Sequence, residues 1–515
     1  MLRNDPRGNE RSTCGRRGLP QVDARIGGVY ALSRLKRFAV FVGLVLSGLS
    51  LLGVSSAAVL PLAGNLDPSF GNGGIVAATA EGMGGIAVQP DGKIVVAGTS
   101  NSEEFRLARY LPDGSSDPSF GDGGSVETQV GEWAFATAIA LQPDGKIVVA
   151  GSSYQGGDGP PLIREEFTLA RYNPDGSLDT SFGNDGITNT VIPEQQSPNA
   201  CFPASQAAAH ALVILPGGDI VVAGSAEWDD GCSKFTNTSF ALARYTPDGS
   251  LDPTFGDGGI AQTASPGVGA ALDVQSGGEL VATEGNALAG YAPDGSLNLA
   301  FDPDPKLESD DTLTLQAGKI VVAGASRPAK RSRPWFPEVA RYKTNGRLDP
   351  TFGAHGQTGI KRLVGLLPTA LLTQNDGKLL VAASSPYDQP RGAVVRLLPN
   401  GRLDTHFGRG GIVSFADGVG SLATQEDGRI LVGRGTNEWA LDRLIGGNNC
   451  VVPRLRGKRV SKASFALKNA YCSLGRISKR VSRSVIRGRV VSTAPLMGTR
   501  LPGGSKVDLV VSRGR

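Results

Sequence analysis

The residues of this chain that could do chemistry come in repeated copies. Asp175-Gly176-Ser177-Leu178-Asp179 alternates oxygen-bearing side chains in the manner of a calcium loop, because a hard cation takes carboxylate and hydroxyl oxygens. The run is too short for a full ligand set, and its Asp and Gly suit a tight turn equally well. No cofactor is therefore expected, with calcium the one candidate. An arginine recurs near the end of similar segments, at Arg109, Arg171, Arg244, Arg341, Arg396 and Arg443. Many copies point to a structural partner, such as a nearby aspartate, since an active site needs one site. His210, His355 and His406 hold unrelated places, and there is no Gly-x-Ser-x-Gly elbow, His-Glu-x-x-His pair or phosphate-binding loop. The residues predict binding rather than catalysis: no catalytic residue, no metal ligand, not an enzyme.

The elements that position these residues repeat with them. Gln142-Pro143-Asp144-Gly145-Lys146-Ile147-Val148-Val149-Ala150-Gly151 recurs, whole or eroded, seven times. Proline presets φ, aspartate caps the turn and glycine takes the left-handed position, so each copy is a hairpin tip feeding a β-branched strand. The position opening that strand falls at Lys93, Lys146, Asp219, Glu279, Lys319, Lys378 and Arg429, and an aromatic precedes a Gly-rich corner at Phe70, Phe120, Phe182, Phe255, Phe301, Phe352 and Phe407. In the second unit the expected strands are Ser125–Thr128, Ala134–Leu141, Lys146–Gly151 and Phe167–Tyr172. Four short strands per unit is the count of a propeller blade. Units four and five are the most worn, with Ser276-Gly277-Gly278 in place of a Pro-Asp-Gly-like turn and Gln316-Ala317-Gly318-Lys319 one residue short.

The Asp-Pro-Ser-Phe-Gly corner and the Pro-Asp-Gly-Lys-Ile-Val-Val-Ala-Gly hairpin, recurring in fixed order, resemble the delta-60 repeat family. The resemblance covers residues 65–446 and implies a β-propeller-like domain of seven repeats, without implying a reaction. The fold class expected is all-β: a seven-bladed β-propeller followed by a small α+β domain.

Composition agrees. Gly 72 with 19% charged residues over 515 residues suits an all-β chain rich in turns. The net charge of +4 conceals a split. From Val451 onward sixteen Lys or Arg stand against Asp508 alone, and residues 1–37 carry nine basic and three acidic groups, so the stretch between is strongly acidic.

Residues 1–58 are expected to be a signal peptide. Arg34, Lys36 and Arg37 precede the apolar run Phe38 to Val54, followed by Ser55-Ser56-Ala57-Ala58 with the small residues that signal peptidase requires. The competing expectation is an uncleaved signal anchor, since the run is just long enough to span. Export fits the cysteines: Cys201 with Cys232 and Cys450 with Cys472 are the disulfides favoured by sequence order, against four free thiols.

After the linker 447–450, residues 451–515 form a separate module. Ala463, Ala466, Leu467 and Ala470 lie at helical spacing with Ser461 as N-cap, and strands are expected at Leu474–Ile477, Arg489–Ser492 and Lys506–Val511. Val452-Pro453, Gly457, the Ala-rich helix, Gly475, Pro495, Gly498 and Gly503 to Ser512 resemble a PASTA domain. That resemblance implies bacterial origin and non-catalytic binding of peptidoglycan fragments, although two cysteines and heavy Arg content depart from the usual pattern. The charge by itself implies attraction to wall polyanions or anionic surfaces, with Arg454, Arg456, Lys458 and Arg459 as candidate ligand-binding residues. Export makes nucleic acid the weaker partner.

In a meander, loops of equal parity share a face. The variable loops, 156–166, 194–206, 227–238 and 327–337, therefore lie together opposite the Pro-Asp-Gly turns, with Tyr154, Trp228 and Trp335 as stacking surfaces for a glycan or a protein. The reading that results is a monomeric, secreted or cell-surface binding or scaffold protein. The alternatives are an extracellular hydrolase or lyase using the variable face, and a wall-attached adhesin.

Overall fold

The computed structural model describes residues 63–514 apart from 78–80, 156–163, 194–204, 230–235, 265–268, 285–286, 300, 302–311, 327–333, 387–390, 436–438, 447–449, 469, 471 and 502–504. Residues 1–58, with the expected signal segment, lie outside the described residues.

The second unit shows how sequence becomes blade. Its strands Trp133–Leu141, Ile147–Gln155, Arg164–Tyr172 and Ile187–Thr190 pair antiparallel in chain order. The first turn closes with the Gly145 amide donating to the Gln142 carbonyl at 2.9 Å and Asp144 Oδ1 accepting from the Lys146 amide at 3.1 Å. Gly145 has φ 90°, a conformation that glycine adopts without steric cost. The run Ile147 to Ala150 lacks the polar alternation of a half-exposed strand because both its faces are covered. Ile147 and Val149 pack with Val95, Ala97 and Phe105 of the unit before, and Val148 and Ala150 pack with Ile220 and Val222 of the unit after. A strand buried on two sides must be apolar throughout.

Strand pairing moves the expected blade boundary by one strand. Ser125–Thr128 is the outer strand of the preceding sheet, paired with Phe105–Tyr110, and does not open the second unit. The chain order of strands could not reveal this, because the Gly-rich corner folds the next strand back onto the strand it leaves. The same shift operates at the ends of the array. Ile75–Ala77 pairs with Trp439–Leu444, so the beginning of the repeat region supplies the outer strand of its last sheet. The first strands of successive sheets pack side by side, and Val419–Thr424 of the last packs against Glu81–Val88 of the first. Phe70, Ile94, Val96, Leu431 and Leu441 share one core across that junction.

Strand parity is unaffected by the shift, so the two turns of a unit still lie on one face. Pro174 sits over Gly145, and Pro247 over Gly218. Wear shows where it was expected. The fourth unit has three paired strands among the described residues, Gly269–Val274, Leu280–Glu284 and Ala287–Tyr291. The shortened turn of the fifth is a two-residue hairpin in which Ala317 takes φ 51° and Gly318 φ 78°.

The C-terminal module has a helix, Val460–Lys468, and a three-stranded sheet ordered Ser473–Arg480, Lys506–Ser512, Val490–Ala494. Ser461 is not the N-cap: the helix begins at Val460, and the Ala463 amide donates to the Arg459 carbonyl at 2.9 Å, which puts Ser461 in the first turn. Cys450 already belongs to a strand, Cys450–Val451, paired with Arg500–Leu501. Ala463 and Leu467 are fully buried with Cys450, Cys472, Val507 and Leu509, so the helix lays its apolar face on the sheet as its spacing predicts.

Candidate functional site

The repeated arginines resolve first. Arg109 Nε donates to Asp117 Oδ2 at 2.7 Å, and its guanidinium lies 4.5 Å over the Phe120 ring. Its Nη2 donates to Ser119 Oγ at 3.0 Å, and its Nη1 to the Pro174 carbonyl in the next unit. Lys93 adds a second cation 3.0 Å from Asp117. Arg171 repeats the arrangement with Asp179, Phe182 and the Pro247 carbonyl, and Arg341 with Asp349, Phe352 and the Pro399 carbonyl. Arg443 of the last unit takes its partners from the start of the array, Asp67 at 2.9 Å, Ser69 and Phe70, and reaches the Pro112 carbonyl of the first unit. Each arginine is thus a latch between neighbouring units. Burial would raise the latch carboxyls, yet hydrogen bonds from Ser119 and Lys93, with Arg109 behind them, hold Asp117 well below the usual carboxylate range. Asp179 and Asp349 are held down in the same way by Lys146 and Ser181, and by Lys319 and Thr351.

The latches also use up the calcium-like oxygens. Asp175 Oδ1 accepts from the Ser177 amide at 3.0 Å and hydroxyl at 2.7 Å, while Asp179 serves Arg171 and Lys146. Among the described residues no group of three or more His, Cys, Asp or Glu could hold a metal ion. His210 Nε2 lies 3.3 Å from Ser225 Oγ, and burial lowers its pKa; His406 is exposed beside Asp404.

On the face opposite the Pro-Asp-Gly turns, Tyr154 has company that sequence reasoning missed. Trp133 pairs with it across the sheet with ring centroids 6.0 Å apart, and Phe135 stands 6.3 Å away, nearly perpendicular. Trp133 is 47% and Phe135 42% exposed, although both occupy an otherwise ordinary inner strand. Large aromatics left in water on a rigid strand are the unusual observation, since most such rings are buried. The available signal was Trp133 and Phe135 alternating just before Tyr154's strand. Beneath the patch, burial pushes the Tyr154 hydroxyl up to about 12, helped by the Glu165 carboxylate to which it hydrogen-bonds. Glu165 is itself buried, and its strand meets Gln206 of the third unit in a parallel bridge. Three rings with a buried carboxylate behind them offer a stacking platform for an apolar ring face, of a sugar or of an aromatic side chain.

The other expected aromatics stand apart from this patch. Trp335 is half-buried in the fifth unit, its carbonyl accepting from the Gly365 amide at 2.7 Å. Trp228 sits in the strand Ile220–Asp229 opposite Asn237, and its side chain lies outside what is described. Cys201 and Cys232, with most of the variable loops, also lie outside the described residues.

The C-terminal module presents its charge openly. Arg454, Lys458 and Arg459 are exposed, as are Arg476, Lys479 and Arg480 on the edge strand of the sheet. Arg456 does structural work, donating to the Val491 carbonyl at 3.2 Å and to Ser484 Oγ at 3.0 Å. Asp508, the one acid, accepts from the Arg476 amide at 2.6 Å. Among the described residues no ion pair involves a side chain of this module. Cys450 and Cys472 are joined in a disulfide.

Comparison with known proteins adds the following. The family described as Domain of unknown function (DUF5122) beta-propeller matches residues 89–120, 142–182, 216–255, 318–352 and 374–407, and the PASTA domain family matches 451–513. A probable serine/threonine-protein kinase of Clostridium acetobutylicum is 25% identical over 173 residues, 33% of this chain and 22% of its own length. PknB of Lactococcus lactis subsp. lactis, another probable serine/threonine-protein kinase, is 32% identical over 66 residues, 13% of this chain. The chain thus spans less than a quarter of either relative. Among solved structures, streptogramin B lyase gives a TM-score of 0.41 at 13% identity, covering 72% of this chain and 96% of its own. A structure titled YCF48 bound to D1 peptide gives 0.38 at 10%, covering 74% and 97%. The chain carries DUF5122 beta-propeller repeats followed by a C-terminal PASTA domain.

Proposed function

We propose that this is an exported bacterial cell-envelope protein with no catalytic role. Its PASTA domain engages peptidoglycan or an anionic wall polymer, and its seven-bladed propeller is a platform for a second partner. The observation that carries the reading is the contrast in charge. The propeller's repeated arginines are spent on latches, whereas Arg454, Lys458, Arg459, Arg476, Lys479 and Arg480 of the PASTA domain are exposed in a module with one acid. A surface of one sign raises the local concentration of a polymer of the other. The exposed rings of Trp133 and Phe135, with Tyr154, are the propeller's contact for a glycan or a protein.

Replacing Arg454, Lys458 and Arg459 together by Glu tests the charge reading, with Arg456 left in place because it braces the module. The triple variant is expected to lose most of its pelleting with purified cell walls at about 0.15 M salt, where surface charges still act over about 8 Å. Unchanged pelleting would contradict it.

A further inference from the structure

The latch is missing at one junction. In the fourth unit Gly290 occupies the arginine position, Asn298 the aspartate position and Glu279 the position that is Lys93, Lys146 or Lys319 in latches bearing a second cation. The aromatic remains: Phe301 is buried and packs directly against Gly290, where an arginine stem would run. The turn that would receive the guanidinium also remains, as Lys343-Thr344-Asn345-Gly346 of the fifth unit. Between these groups lies an open cavity of 380 Å³ lined by Gln275, Glu279, Asn298, Phe301, Thr344 and Asn345. Of the corresponding residues of the second unit, Lys146, Asp179 and Phe182, with Pro247 of the third, make up the Arg171 latch.

We propose that this cavity is a binding site for a guanidinium group supplied in trans, the arginine side chain of a partner polypeptide. The intact latches show what the geometry accepts: a planar cation over a phenylalanine ring, bonded to a side-chain oxygen of its own corner and to a carbonyl of the next turn. At the fourth junction both cations of the chain are gone. Among the described lining residues Glu279 is the one charged side chain, so the local charge is reversed in the direction that favours an incoming cation. The cavity is of the size of small-ligand sites and lies on the face of the Pro-Asp-Gly turns, away from the aromatic patch. It does not depend on the wall-binding reading.

The test is calorimetric titration of the full chain with Nα-acetylargininamide, using the citrulline analogue as a neutral control of the same shape. Saturable binding of the arginine compound alone is expected. Glu279→Gln should weaken it by roughly tenfold or more, as loss of a charge-assisted contact does. Gly290→Arg combined with Asn298→Asp should abolish binding by filling the seat from within. This requires the Phe301 ring to move aside, so Glu279→Gln remains decisive if that variant does not fold. Absence of saturable binding, equal binding of the citrulline analogue, or binding unchanged in Glu279→Gln would overturn the proposal.

Discussion

Propeller and PASTA domain both carry many arginines, and the repeated arginines of the one are used oppositely to the exposed arginines of the other. In the propeller Arg396 is 1% exposed, donates to Asp404 at 2.9 Å and to the Gly446 carbonyl, and stacks on Phe407. In the PASTA domain Arg454 is exposed, in a module with a single acid. An arginine that has found its carboxylate, ring and carbonyl is part of the architecture, and one left in water is available to a partner. Residue counts do not distinguish the two; spacing does. An aspartate follows five of the six latch arginines eight positions later in the chain, as Asp117 follows Arg109, and the sixth, Arg443, takes Asp67 from the start of the array, while nothing comparable follows Arg454.

The sharpest way to break the comparison is to delete one arginine of each kind. Arg396→Ala strands the buried Asp404 carboxylate and should cost about 3–5 kcal/mol of propeller stability. Arg454→Ala should change stability by less than about 0.5 kcal/mol. Urea unfolding of both variants decides, and equal losses would mean that the latches are ornamental.

The next largest effect belongs to the other region. Changing Cys450 and Cys472 to Ser opens a loop of 22 residues and should cost the PASTA domain about 3 kcal/mol. The propeller's own unfolding transition should not move. Differential scanning calorimetry of the unsubstituted protein and the Cys450→Ser, Cys472→Ser variant separates the two.

Acid should divide the regions as well. Asp117, Asp179 and Asp349 have folded pKa values below their unfolded ones, so they stabilise the propeller fully above about pH 4 and lose that contribution as pH falls through the folded values. Asp442 works in the opposite sense, because burial raises its carboxyl despite Arg434. With three latches against it, the net expectation is propeller destabilisation below pH 4. The PASTA domain, with Asp508 its only acidic side chain, should show little change over the same range. Far-ultraviolet and near-ultraviolet circular dichroism across pH 2–6 would show it.

The smallest effect is a refinement. Ala317 sits at φ 51° ahead of Gly318 in a two-residue hairpin where Asn-Gly is the preferred pair. Ala317→Asn should raise stability by up to about 1 kcal/mol, read by the same urea titration.

Much of this was legible in the residues. The turn chemistry of Pro-Asp-Gly, the order of the strands and the pairing of five repeated arginines with the aspartate eight residues on follow from local spacing, whereas Arg443 finds Asp67 only through the fold. The blade boundary was not legible, because Ser125–Thr128 follows its corner in the same way whether it opens one sheet or closes another; only pairing with Phe105–Tyr110 decides. The aromatic patch was half legible. Tyr154 stood next to a variable loop, but the exposure of Trp133 and Phe135 depends on which side of an inner strand faces water, and the bulge between Ala136 and Ala138 disturbs that alternation. The vacant latch was visible as Gly290 against a column of arginines, although its cavity was not.

The most direct test of the division of labour is co-sedimentation with purified peptidoglycan across a salt series. It compares residues 59–515 with a chain ending at Gly446. The account predicts that only the longer protein pellets, and that its pelleting declines without vanishing as salt rises. Pelleting of the shorter chain would place wall binding on the propeller and contradict the central claim. Complete release of the longer chain by moderate salt would reduce the PASTA domain to a charged anchor.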